Sequence, residues 1–181
     1  MKMAKMYFVF VLLVTGILQV MGQQTSNKGK AADNTTALPT GTYFIVNSKT
    51  NEALTPNGPT AGQNVFLMPF KKSGLQKWNV KQIKTKNGIS YTIGLDGSDG
   101  LFLCPFPAGD HTPIITTPFG KEGSYTIKSA SDNKGWYIKS LHLNGDAMQS
   151  FVYSKETPTE IRFNPAEAAD KFYWMFIPVS D

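Results

Sequence analysis

One cysteine, Cys104, stands in the 181 residues of this chain. No disulfide can close within the chain, so the fold rests on its apolar core. Cys104 lies in "GLFLCPF", where a thiol reads as a small buried hydrophobe. Histidine is nearly as scarce: His111 and His142 are the only two, and with one cysteine they make no metal-ligand set. No Gly-x-Ser-x-Gly, no His-Glu-x-x-His and no Cys/His pair with an orienting partner is present, so no catalysis is expected. "GLDGSDG" at 94–100 brings Asp96 and Asp99 together, but the twelfth position of a calcium loop would be Pro107 instead of a carboxylate. It reads as a glycine-rich hairpin turn. No cofactor is expected.

Long apolar runs are also missing, with one exception. Residues 6–18 are apolar, follow Lys2 and Lys5, and precede Val20-Met21-Gly22. Residues 1–22 therefore read as a secretory signal peptide, the run being shorter than the roughly 20 residues a spanning helix needs. A secreted, extracellular protein with no membrane contact is expected. Residues 23–38, "QQTSNKGKAADNTTAL", are polar and without period, a flexible leader carrying the sequon Asn34-Thr35-Thr36 and so a glycosylation candidate at Asn34. Residues 39–181 have the length of one domain. Without residues 1–22 the chain carries 16 basic and 13 acidic side chains. That excess is too small to argue for nucleic acid. Lys81, Lys84 and Lys86, with Lys71, Lys72 and Lys77 nearby, lack interleaved aromatics and read as a solvated face.

Helical period is absent as well; "NPAEAADKF" at 164–172 reads as one turn in a loop. What the chain has is repetition. "GTYFIVN", "ISYTIGL" and "GSYTIKS" share Tyr-x-Ile at Tyr43/Ile45, Tyr91/Ile93 and Tyr125/Ile127. Aromatic and β-branched residues at period two argue for strands. Short strands and Pro- or Gly-bearing turns follow each copy. A fourth strand closes the first and last, with Trp78 in "KWNVKQI" and Trp174 in "YWMFIPV". Two phasings fit. In one the third repeat opens at Gly123; in the other "SYTIKSA" is the fourth strand of the second repeat and the third opens at Trp136.

Both phasings give three repeats and 11–12 short strands. Repeats this short cannot bury a core singly and must close on one another. The expected fold class is all-β, a β-trefoil with pseudo-threefold symmetry: a six-stranded barrel capped by three hairpins. The expected core holds Tyr43, Ile45, Leu67, Trp78, Val80, Tyr91, Ile93, Leu103, Tyr125, Ile127, Ile138, Trp174 and Phe176.

At these residues the chain resembles known trefoil families. "GTYFIVNSKTNEAL…GQNV…LQKWNV" is similar to the first repeat of ricin-B-like lectins, whose repeats end in Gln-x-Trp, here Gln76-Lys77-Trp78. That motif occurs once. The remainder, "GSYTIKSASDNKGWYIKS…QSFVYS…FYWMFIPV", resembles the fungal mycospin-like inhibitors of serine peptidases. The second resemblance implies inhibition of a serine peptidase through an exposed loop, the leading expectation. A basic key residue would meet an acidic specificity pocket. Lys71, Lys72, Lys155 and Arg162 fall in expected long loops, and Asn57 would suit an asparagine-directed protease. The alternative is a ricin-B-like lectin. The resemblance implies a cup with an aspartate to accept sugar hydroxyls and a ring to pack on the sugar. Asp96 with Phe102, and Asp132 with Trp136, are the candidates; the first repeat offers only Asn47 and Asn51. The expected partner is a serine peptidase or, alternatively, a glycan, and a monomer is expected.

Overall fold

The computed structural model describes residues 37–106, 112–117, 122–130, 133–151 and 158–180. The expected signal peptide, most of the leader with Asn34, and the candidates Asp132 and Lys155 lie outside the described residues.

Alternation of apolar and polar residues produces twelve described strands: β1 Gly41–Asn47, β2 Glu52–Pro56, β3 Gln63–Pro69, β4 Lys77–Thr85, β5 Gly88–Leu95, β6 Phe102–Pro105, β7 Pro113–Thr116, β8 Tyr125–Ser129, β9 Trp136–Ser140, β10 Ala147–Phe151, β11 Glu160–Asn164 and β12 Trp174–Pro178. Six of them pair in a closed antiparallel ring, β1–β4–β5–β8–β9–β12 and back to β1. Closure leaves the ring no free edge. The other six form the hairpins β2–β3, β6–β7 and β10–β11. The first two hairpins join through Gln63↔Ile115 and Asn64↔Ile114, and Leu67 bridges Thr159 beside the third. This is a β-trefoil.

The ring decides the phasing. β8 pairs β5 and β9, which makes Tyr125–Ser129 the fourth strand of the second repeat and opens the third at Trp136. Two of the three Tyr-x-Ile copies are first strands and the last is a fourth strand. The two classes look alike because they share layers. Tyr43↔Trp78, Tyr91↔Tyr125 and Trp136↔Trp174 form one layer of facing aromatics. Ile45↔Phe176, Val80↔Ile93 and Ile127↔Ile138 form the next. Every expected core residue is buried except Phe176, which packs partly exposed against the cluster. Leu38, the last residue of the expected leader, is buried there too, and its carbonyl accepts from the Gln82 side-chain amide at 2.6 Å.

The fourth-strand aromatics fasten the hairpins to the barrel. Trp78 Nε1, Tyr125 Oη and Trp174 Nε1 donate to the carbonyls of Leu54, Leu103 and Met148 at 3.0, 2.8 and 2.9 Å. Single 3₁₀ turns precede two of these strands, Gly74–Gln76 and Asp170–Phe172, the latter within the run read as one turn.

Candidate functional site

The sequence "GLDG" ends β5, and the ladder carries on one residue past it. The Asp96 N–H donates to the Lys77 carbonyl at 3.0 Å. Strand alternation therefore holds through Asp96: Leu95 points into the core, and Gly94 and Asp96 lie on the outer face. Asn79 stands opposite Gly94, on the same face. Its Nδ2 donates to Asp96 Oδ1 at 2.8 Å, and its Oδ1 accepts from Thr42 Oγ1 at 2.8 Å. On the other side of Gly94 stands Phe102. A Cβ built on Gly94 would lie 3.4 Å from Phe102 Cε1, so the ring lies over the glycine. Thr42, Asn79, Gly94 and Phe102 thus make one row across β1, β4, β5 and β6, with Asp96 one step along it. Gly97 and Gly100 turn the chain back toward Phe102 with φ of 70° and 76°, where glycine has no steric penalty.

Asp96 and Phe102 are each half-buried. The Asn79 amide orients the carboxylate through one oxygen. Among the described residues the other carboxylate oxygen, Oδ2, has no hydrogen bond. An oriented carboxylate accepts hydroxyl hydrogens, an amide serves as donor and acceptor, and a ring packs on C–H surface. Together these groups match a polyol with one apolar face.

Threefold symmetry shows that this arrangement occurs once. In the first repeat the matching positions are Val46, Met175, Ala53 and Ser48, and in the third Lys139, Thr126, Ala147 and Leu141. Neither set has an acid or a ring. The first-repeat surface is instead apolar, with Phe44, Val46 and Ala53 covered by Phe70, Met175, Ile177 and Val179. Asn47 is fully buried and committed: its Oδ1 accepts from the amides of Lys49 and Thr50, and its Nδ2 donates to the Lys171 carbonyl at 3.0 Å.

The other candidates are scattered. Trp136, expected beside Asp132 as a sugar platform, is a wall residue of the barrel. It stands opposite Trp174 and edge-on to Phe176 at 6.2 Å, in the position of Tyr43 and Tyr91. Asn57 is exposed at the β2–β3 turn, its N–H donating to the Asn64 carbonyl. Lys71 and Lys72 are exposed in the loop between β3 and β4. Arg162 was expected in a loop and is in β11 instead. The inward pull of Ile161 and Phe163 makes "EIRFN" a strand, and the guanidinium lies 4.2 Å from the Phe151 ring centroid and 3.3 Å from Glu160.

Sequence reasoning missed Thr42, Asn79 and Gly94. The only available signal was that each falls on the polar phase of a strand. Gln76 of the Gln-x-Trp motif is structural. It is buried, accepts from the Lys71 N–H at 2.9 Å, and donates to Thr55 Oγ1 and the Pro69 carbonyl at 3.1 and 2.9 Å. Cys104 is buried, and burial, with Glu122 as the lesser cause, pushes its pKa up to about 12. It is a small hydrophobe here.

No family model and no curated protein matches the sequence. Solved structures do match in fold. The designed threefold-symmetric protein ThreeFoil superposes with a TM-score of 0.66 at 16% identity, covering 77% of this chain and 99% of that one. The Rhizoctonia solani agglutinin has a TM-score of 0.62 at 23% identity, with 80% and 99% covered. A Polyporus squamosus lectin, solved bound to the epitope Neu5Aca2-6Galb1-4GlcNAc, has a TM-score of 0.61 at 19% identity; 78% of this chain matches 50% of that one. At these identities the likeness establishes the β-trefoil and nothing finer.

Proposed function

We propose that the protein is a secreted, non-catalytic carbohydrate-binding module with one sugar site, formed by Asp96, Asn79 and Phe102 on the outer face of the second repeat. The observation that carries the reading is the Asp96 carboxylate, held by Asn79 at 2.8 Å beside a ring lying over Gly94. The carboxylate accepts two hydroxyls of a bound sugar and the Phe102 ring packs on its C–H face. Trefoil neighbours described as an agglutinin and a lectin support this class of ligand. Secretion, read from residues 1–22, belongs to the same proposal.

The mycospin-like inhibitor reading has no support beside it. A substrate-like loop presents its key residue in extended backbone. Lys72 has φ 55°, in the left-handed region, and Arg162 is not presented by a loop: it is paired with Gln149 in the β10–β11 hairpin, its guanidinium packed on Phe151 and Glu160. The test is a glycan array probed with the mature chain and with Asp96→Ala. Wild-type binding lost in the variant, with circular dichroism unchanged, supports the proposal. Binding that survives Asp96→Ala removes this site from it.

A further inference from the structure

We propose that the sugar site continues across β4 into a cationic groove that takes the anionic substituent, a carboxylate or sulfate, of an acidic glycan. This rests on the glycan reading above. The groove measures about 260 Å³ and its lining includes Phe44, Lys72, Lys77, Ile177 and Ser180. Lys77 joins the two places. Its carbonyl accepts the Asp96 N–H, it stands opposite Phe44 in the β1–β4 pairing, and its side chain lies on the outer face with Asn79. A ligand seated on Asp96 reaches the groove in one strand spacing, about 4.8 Å.

Among the described residues no acidic side chain lines the groove, and neither Lys72 nor Lys77 makes an ion pair. Phe44, which packs among apolar side chains, also lines it. Lys72 is also held in a costly conformation. Four described residues other than glycine have positive φ; three are asparagines, which tolerate it, and the fourth is Lys72. The buried Gln76 side chain, which follows Lys72 in the chain, bonds back to the Lys71 N–H and the Pro69 carbonyl before it and so closes the loop around Lys72. A strained residue over-determined by its surroundings is what ligand clamps show.

The division of charge assigns the roles. An anion placed against the Asp96 carboxylate is repelled, so that end of the site takes neutral hydroxyls. One strand away two lysines line a groove that has no acid among its described lining residues. A glycan carrying a carboxylate or sulfate beside its recognised sugar satisfies both.

The test is an array of neutral disaccharides, each printed beside its sulfated and its sialylated counterpart, followed by calorimetry on the best-bound pair. The acidic member should bind roughly threefold to tenfold tighter at low salt, as one or two partly exposed charge pairs supply. The preference should vanish between about 20 and 500 mM salt. Lys72→Glu should erase it and leave neutral-sugar affinity unchanged, since Lys72 lies off the Asp96 row. Preference for the sulfated and not the sialylated member identifies the anion as sulfate; the reverse identifies a carboxylate. Neutral binding with no preference for either acid, or a preference that survives Lys72→Glu, overturns the groove while leaving the sugar site standing. An array with no bound spot overturns the glycan reading itself.

Discussion

The indole N–H of Trp78 donates to the carbonyl oxygen of Leu54 at 3.0 Å, with both residues fully buried. The bond ties the first hairpin to the barrel, and Tyr125–Leu103 and Trp174–Met148 repeat it around the axis. Trp78→Phe keeps most of the volume and strands the Leu54 carbonyl, at a cost of about 1–3 kcal/mol. Trp78→Ala also opens a cavity and should cost roughly 3–5 kcal/mol. Urea unfolding of both variants measures the difference. A loss below about 1 kcal/mol for Trp78→Ala would show that the indole is not core, against the packing-loss scale for aromatic truncation.

The sugar site can be closed without touching the core. Gly94→Val copies the first repeat, where Val46 stands opposite Ala53, but here the new side chain displaces the Phe102 ring. Asp96→Ala removes the hydroxyl acceptor. Each should weaken glycan binding by about tenfold or more, the scale of losing charged hydrogen bonds. Asp96→Ala should shift stability by no more than about 1 kcal/mol, as outer-face changes do, whereas Gly94→Val, at a buried position under the ring, should cost about 1–3 kcal/mol, as overpacking does. Calorimetric titration beside thermal unfolding separates the two effects.

Alkaline pH should destabilise the fold. Cys104 has its pKa raised from 9.0 to about 12 by burial, and burial raises Tyr43, Tyr91 and Tyr125 from 10.0, Tyr125 most strongly. In the window above pH 9.0 the unfolded chain has released protons that the folded chain retains. Stability is therefore complete below that value and falls as pH rises. The Tm should decline from about pH 9 upward, and Cys104→Ala should flatten the early part of the decline. In the native state at neutral pH, Cys104 should be nearly inert to a disulfide probe and react only on unfolding.

Peptidase assays should be silent. The left-handed Lys72 cannot enter a substrate-binding cleft in extended form, and Arg162 is paired within a hairpin, so inhibition of a trypsin-like enzyme through either residue is not expected at micromolar concentration. Lys71→Ala with Lys72→Ala should leave both that result and the Tm unchanged. Steady-state hydrolysis of a chromogenic substrate reads the outcome, and clear inhibition lost in the double variant would restore the inhibitor reading.

The sequence by itself determined the strands, the threefold pattern and nearly the whole core, because period-two burial is a local property that each segment carries. It could not determine the phasing. Tyr125-x-Ile127 fits a first or a fourth strand equally, since both classes face the same layers, and only the pairing of β8 with β5 and β9 separates them. Asp96 and Phe102 were legible as an acid and a ring either side of a glycine turn. Their setting was not. Thr42, Asn79, Gly94 and Phe102 come from four strands and meet because the barrel closes β1 on β4 and β4 on β5. Alternation tells which face a residue takes; which strands lie side by side on that face is decided by closure of the ring. The same closure sets Lys77 between Phe44 and Asp96, and so decides that a groove lies next to the site at all.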